Sequence, residues 1–362
     1  MFHPLVDNMI ENRKEEHVRI CATKPVQATY NYWDDLVLIH RALPELNKSE
    51  INLSTSLFNC KLKAPLIISA ITGGFSKAKK INSNLAKAAS ELQIGFGVGS
   101  QRPVLQEGKF KESYTVIKDF DIPLVIGNIG APQLIKQGKK DKVFTIKDGK
   151  RAMEMLDADL LAIHMNFVQE IVQPEGDTNS KGCLEKITEF ASELPIMSKE
   201  TGAGISREMA KALSRAGVKG IDVGGLSGTS FPAVEIYRGK ANLTNPQSRL
   251  GETFWNWGIP TPVSLFEANV GLPLVATGGI RTGLDAAKAL CLGASAAGLA
   301  GRLLKPALAS AKSVISELEL IIDELRSTLF LIGAKNVKSA PKQQVVITGK
   351  TREILQWLGH LK

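Results

Sequence analysis

The side chains best suited to chemistry are concentrated in His164-Met-Asn-Phe-Val-Gln-Glu-Ile-Val-Gln-Pro-Glu-Gly-Asp177, directly after an apolar run, Asp159-Leu-Leu-Ala-Ile163. Polar groups packed this densely at the end of an apolar run are costly to bury unless they serve a ligand or one another. If the run is a strand, alternation puts His164 and Asn166 on one face, with Gln169 and Glu170 just beyond. Glu170, with Glu175 and Asp177 nearby, offers hard oxygen ligands suited to a Mg2+ that also binds ligand phosphates. The cluster therefore suits either an acid/base centre or a site for a charged ligand and a metal.

Other candidates handle anions. Arg102 stands just past the run Ile94-Gly-Phe-Gly-Val-Gly-Ser100 and can clamp an anion bidentately. Lys199 shares a strand face with Met197 and should point inward, with Glu200 on the opposite face. A lysine so placed pairs with an anionic cofactor ring or, when its pKa is depressed, forms a Schiff base. In Asn12-Arg-Lys-Glu-Glu-His17, Arg13 and His17 lie one helical turn apart with Lys14 beside them, as a solvated face or as a cationic arm. Ala276-Thr-Gly-Gly-Ile-Arg-Thr-Gly283 is a glycine turn leading into a helix. Backbone N–H groups there can approach a phosphate, aided by the partial charge of the helix start.

The elements that must hold these residues follow from periodicity. From Pro65 onward, apolar runs beginning at Pro65, Ile94, Pro123, Leu160, Pro195, Gly220, Leu272 and Ser295 alternate with segments of helical spacing such as residues 79–92 and 206–215. Near-continuous apolar strands separated by amphipathic helices predict a parallel sheet covered by helices. Eight of them over roughly 240 residues predict a (β/α)8 TIM barrel of the α/β class. A doubly wound sheet is the alternative, but no run leads through a full G-x-G-x-x-G into a helix with an acidic residue about twenty positions later. Residues 1–60 are expected to form an N-terminal extension carrying the arm, and 61–335 the barrel, with Lys305–Leu331 as a long closing helix. Residues 336–362 are expected as a C-terminal helical appendage. Barrel enzymes work at the C-terminal ends of their strands. Here those ends carry Thr72, Ser100 with Arg102, Asn128, His164 with Asn166, Lys199, Thr229, Gly278-Gly279 and Ala300-Gly301.

Composition narrows the class. The 362 residues are 44% hydrophobic, as expected of a soluble globular protein. The formal charge of +9 favours an anionic partner. No aromatic-interleaved basic stripe accompanies it, so a phosphorylated metabolite is expected rather than nucleic acid. The stretch Lys136–Lys150 reads as a solvated loop and helix face. Cys21, Cys60, Cys183 and Cys291 show no C-x-x-C spacing, which disfavours a zinc site or a disulfide framework. The opening residues MFHPLVDNMIENRKEE lack an apolar signal core, and the apolar stretch Ala289–Ala300 is too short to span a bilayer. The expected location is the cytoplasm, with no membrane partner.

Further pieces recur in order along the chain: Ala70-Ile-Thr-Gly-Gly74, Val98-Gly-Ser-Gln-Arg102, Gly127-Asn-Ile-Gly130, Lys199-Glu-x-Gly-x-Gly-Ile-Ser206, Gly228-Thr-Ser230 and Trp257-Gly-Ile-Pro-Thr261. Together with Asn12-Arg-Lys-x-x-His17, the segment from His164 to Asp177 and Gly278-Gly-Ile-Arg-Thr-Gly283, they make the chain closely resemble type 2 isopentenyl diphosphate isomerase, the flavin-dependent kind. The resemblance implies FMN held by Ser69, Ala70, Ile71, Thr72, Ser100, Asn128, Lys199, Thr229, Gly278, Gly279, Ala300 and Gly301. It implies a diphosphate substrate contacted by Arg13, Lys14, Ser100, Gln101, Arg102, His164, Asn166 and Gln169, and Mg2+ on Glu170. His164 and Gln169 become the candidates for catalytic roles, with Gln169 positioning or relaying a proton. NADPH is implied as the reductant, and a homo-oligomer, a tetramer or octamer, as the assembly. Moving the double bond transfers no net electrons, so the implied role of a reduced flavin is to stabilise a tertiary cation electrostatically and to exchange a proton. The chain departs from the family at Gly225-Leu-Ser-Gly-Thr229, where Gly-x-Gly-Gly-Thr is common, and at Phe231, where many members carry Trp.

Two other readings compete. An FMN-dependent 2-hydroxyacid oxidase or dehydrogenase would share the glycine cradle, but it needs a His base and an Arg near the penultimate strands, and Gly220–Ser230 contains no His. A flavin- or RNA-binding scaffold would explain the charge but not the cluster from His164 to Asp177.

Overall fold

The computed structural model describes residues 4–138, 142–239 and 245–362, with side chains from residue 12 onward. Of the stretch Lys136–Lys150, residues 139–141 lie outside the described residues. Each apolar run supplies one strand: β1 Leu66–Ile68, β2 Gly95–Gly97, β3 Val125–Gly130, β4 Leu160–Met165, β5 Ile196–Glu200, β6 Gly220–Asp222, β7 Leu274–Ala276 and β8 Ala296–Leu299. Each is parallel to the next, and β8 bonds back to β1, closing the expected (β/α)8 barrel.

Alternation along the strands decides what faces where. Ile67, Ile126, Leu160, Ala162, Met197, Val275 and Ala296 cluster inside the barrel, joined by Leu57 and Leu62 from an antiparallel hairpin over residues 55–62. Their strand neighbours Ile68, Phe96, Ile163, Ile221 and Leu299 belong to the larger core shared with the helices. Towards the C-terminal ends the interior turns polar. One rung of the sheet pairs Gly130 with His164, His164 with Lys199, and Lys199 with Asp222. Register thus brings three ionisable side chains to one level.

The helices that carry or flank the site are α1 Pro4–Thr23, α2 Phe167–Val172, α3 Phe231–Arg238, α4 Gly283–Cys291, α5 Gly301–Ala309 and α6 Ala311–Leu331. Among the described residues no helix is long and apolar enough to cross a membrane. All four cysteines are free thiols.

Two expectations need correction. Lys305–Leu331 is not one helix, because the chain breaks at Ser310, which is extended at φ −163° and accepts the Ser313 N–H on its hydroxyl at 3.1 Å as the cap of α6. Pro306 inside α5 has no N–H to offer the preceding turn. The C-terminal appendage is not wholly helical either: Val345–Ile347 pairs antiparallel with Leu36–Leu38 before the helix Gly349–Trp357. Asp35 secures that pairing by accepting both the N–H (2.9 Å) and the hydroxyl (2.7 Å) of Thr351, 316 positions away. Local periodicity carries no record of a partner so distant.

Where α4 meets α6 the backbones nearly touch. A Cβ at Gly283 would lie 2.2 Å from both the Ile321 carbonyl oxygen and the Leu325 nitrogen. Gly283→Ala is therefore expected to destabilise the fold by about 1–3 kcal/mol, read as a lower urea midpoint of the flavin-free protein. An unchanged midpoint would contradict this contact.

Candidate active site

A cavity of about 730 Å³ opens at the C-terminal rim of the barrel, lined by residues from the ends of the strands and by Arg13, Lys14 and His17 of α1. The helix predicted as either a solvated face or an arm is thus an arm, and it reaches the cavity of its own barrel. The residues expected to hold the cofactor, the substrate and Mg2+ line this cavity except Gln101, whereas Glu175 and Asp177, offered as further oxygen ligands, do not line it and pair with Arg13, Arg238 and Arg102. Gln101 is fully buried elsewhere: its amide donates to the Ala152 carbonyl at 2.9 Å, and its Oε1 accepts the Asn128 N–H at 2.9 Å. Its side chain thus braces β3 and does not line the cavity.

One side of the cavity is built for a phosphate. Gly278 and Gly279 have φ of 103° and 79°, which side chains rarely adopt. A Cβ on Gly278 would sit 2.2 Å from the Gly225 carbonyl oxygen, and one on Gly279 2.4 Å from Ser227 Cβ. Next to them α5 starts at Gly301 behind Ala300, which provides no side-chain cap, so its first N–H groups are open to an anion. Below, Lys199 Nζ meets Asp222 Oδ2 at 2.6 Å, and Thr277 donates its hydroxyl to the other oxygen of Asp222. Ser69 Oγ and Asn166 Oδ1 are buried without partners among the described residues. Unpaired buried oxygens of this kind fit a polar cofactor edge or a ligand.

The other side gathers cations. Lys14 is half-buried, with Nζ donating to the carbonyls of Gly73 (2.6 Å) and Ser100 (2.9 Å). Burial, with Arg13 and Arg102 close by, lowers its pKa to about 7. Arg102 extends Nη1 to Asp177 Oδ2 at 2.6 Å. His164 is pushed down to about 3 by burial and by the charges of Lys199 and Lys14, so it is neutral under ordinary conditions. With its Nδ1 2.7 Å from Asn128 Oδ1, that nitrogen is assigned the proton and Nε2 is left as an acceptor. Glu170 accepts from Asn166 Nδ2 at 2.7 Å and from the Asp177 N–H at 2.8 Å, and burial raises its pKa. Glu200 also borders the cavity, and its Oε2 accepts the N–H groups of Gly202, Ala203 and Gly204, shaping the loop after β5.

A ring of charges that sequence reasoning missed ties α1 down. Arg13 lies 3.6 Å from Glu175, Glu175 2.8 Å from Arg238, Arg238 2.6 Å from Glu235, and Glu235 2.9 Å from His17, which returns to α1. Gln169 joins through Nε2, 3.1 Å from Glu235 Oε1. Burial works to raise the pKa of Glu235, but His17 and Arg238 outweigh it and hold it at about 2. The available signals were the i,i+3 spacing of Glu235 and Arg238 on α3 and an aspartate, Asp222, inside an apolar strand.

Comparison with known proteins follows the same lines. The chain is 46% identical to an isopentenyl-diphosphate delta-isomerase of Methanosarcina mazei over 97% of its own length and 96% of that protein. It is 45% identical to the enzyme of the same name from Thermoplasma volcanium, over 96% of its length and 100% of the relative. The chain belongs to the isopentenyl-diphosphate delta-isomerase family. Residues 263–347 of the chain also match the family described as FMN-dependent dehydrogenase, and they include β7, the glycine cradle, β8 and α5. FMN is therefore the cofactor supported for this cavity. A lactate oxidase from Pediococcus acidilactici (TM-score 0.64, 15% identity, 95% of this chain and 94% of that one) and a mandelate oxidase variant (0.60, 17%, 94% and 96%) share its fold.

Two outcomes test the electrostatics. Lys199→Met leaves the Asp222 carboxylate buried without its cation and is expected to cost about 3–5 kcal/mol; adding Asp222→Asn should recover part of the loss in urea unfolding. For Glu235 the folded pKa lies below the ordinary 4.5, so its contribution is present above pH 4.5 and is lost as pH falls towards 2. Glu235→Gln should lower stability by up to about 3 kcal/mol at neutral pH, with the gap from the parent closing over that acid range; a gap independent of pH would refute the ring.

Proposed function

We propose that the chain interconverts isopentenyl diphosphate and dimethylallyl diphosphate, a 1,3-allylic proton shift of isoprenoid biosynthesis, using reduced FMN and Mg2+ with NADPH as reductant. The observation that carries this reading is a single cavity with two anion-receiving sides: the Gly278–Gly279 turn with the start of α5, and Arg13, Lys14 and Arg102 with neutral His164 between. One side suits the flavin phosphate and the other a diphosphate, leaving the space between for a ring and a short apolar chain.

The reaction adds a proton at C4 and removes one at C2, passing through a tertiary cation at C3. Bound in this cavity, reduced FMN would supply an electron-rich face and a proton-exchanging nitrogen. The chain's own residues bind, orient and exclude water. Lys14, whose pKa burial lowers to about 7, would be held in its charged form by an arriving diphosphate. His164 holds no spare proton at neutral pH until an anion raises its pKa, which favours a positioning role over that of an acid. Gln169, fixed by Glu235, is the better placed of the two candidates to position or relay a proton. Glu170 would bind Mg2+ with the remaining ligands drawn from diphosphate and water, since no group of three or more His, Cys, Asp or Glu suited to a metal occurs among the described residues.

The reading carries a cytoplasmic location and a homo-oligomer of four or eight subunits, in which the exposed Leu43 and Trp357 are side chains that a subunit contact would cover. A 2-hydroxyacid oxidase is disfavoured because the cavity's imidazoles are His17 and His164, neither near the penultimate strands. Anaerobic incubation with FMN, NADPH, Mg2+ and isopentenyl diphosphate should yield dimethylallyl diphosphate. Absence of product together with turnover of a 2-hydroxy acid would overturn the proposal. Glu170→Gln should raise the Mg2+ needed for half-maximal rate at least about tenfold, and an unaltered Mg2+ response would remove the metal assignment.

A further inference from the structure

The turn at residues 31–34 of the N-terminal extension is fastened to the glycine cradle at the rim of the cavity, which Asn31 itself lines. Trp33, fully buried, donates its indole N–H to the Gly278 carbonyl at 2.9 Å. Asn31 donates Nδ2 to the Gly279 carbonyl at 3.0 Å. Thr261 adds its hydroxyl to the Gly278 carbonyl at 2.9 Å. The turn is itself held from the far side, with Lys288 of α4 donating to the Trp33 carbonyl at 2.8 Å and Arg281 to Asp34 at 2.6 Å.

A trans peptide is planar, with its C=O and N–H pointing in opposite directions. Carbonyls held by Trp33, Thr261 and Asn31 therefore turn the N–H groups of Gly279 and Ile280 away from these donors. Gly278, Gly279 and Ile280 all line the cavity. Glycine makes this turn possible but leaves it free to rotate, so something must select the peptide orientation. We infer that Trp33 and Asn31 are positioning residues for the cradle, fixing the direction of the backbone N–H groups that receive the flavin phosphate. The inference rests on the assignment of this cradle to FMN. It gives the N-terminal extension a second task, distinct from that of the cationic arm.

The test compares FMN with riboflavin, which lacks the phosphate, by titrating flavin-free protein and reading the change in flavin fluorescence. Trp33→Phe keeps the aromatic packing and removes the N–H. It is expected to weaken FMN about tenfold, the usual worth of one such bond, while riboflavin affinity stays as in the parent. A general structural role would weaken both flavins alike, and equal loss or no loss overturns the inference. Asn31→Ser retains an oxygen to cap the Trp33 N–H, which Asn31 Oδ1 accepts at 3.1 Å, but no longer reaches Gly279. It decides by the same criterion if Trp33→Phe does not fold. Neither titration contains isopentenyl diphosphate, so the ratio of FMN to riboflavin affinity is independent of whether the isomerase reading holds.

Discussion

Strands from Leu66–Ile68 to Ala296–Leu299 each bond to a parallel neighbour, and the last returns to the first. The site depends on that closure. A parallel ring brings every strand's C-terminal end to one rim, and the rung through His164, Lys199 and Asp222 converts distant sequence positions into one layer. The apolar cluster beneath, sealed by Leu57 and Leu62, sets a dry floor. Above it each polar group must find a partner or wait for a ligand.

Electrostatics in the cavity follow from this burial. Desolvation would empty the site of charge, lowering Lys14 and His164 and raising Glu170. Where the fold supplies opposite charges, as around Glu235, ionisation is retained instead. The chain thus separates two kinds of group. Those in the ring from Arg13 to His17 are neutralised internally and hold α1 in place, whereas Lys14 and His164 are held in states that an anion would change.

Both ends of the chain contribute to a barrel they do not belong to. α1 roofs the cavity, the turn at Trp33 braces its glycines, and the strand Leu36–Leu38 ties that same extension to the C-terminal segment through Asp35 and Thr351. A site made of flexible glycines and long cationic side chains needs such external support, because neither holds a direction by itself.

The barrel and its eight strands were legible in the sequence, as were the polar residues that the strand ends bring to the cavity, whereas lining residues such as Gln27, Asn31 and Gln133 were not. Strand alternation and the polar residue at each strand's end are local properties, and a parallel barrel maps them onto a rim without further information. Gln101 stands apart from its motif neighbours Ser100 and Arg102, which line the cavity, because its side-chain direction is set by the acceptor on Ala152 and the donor on Asn128. The closing helix was overextended because Ser310 interrupts it without disturbing the apolar period. The sequence by itself determined the ring of strands and the chemical types gathered at its mouth. Tertiary structure alone decided the partners, Lys199 with Asp222, Glu235 with His17 and Trp33 with Gly278. Those choices depend on register and long-range packing between elements, which no spacing along the chain encodes.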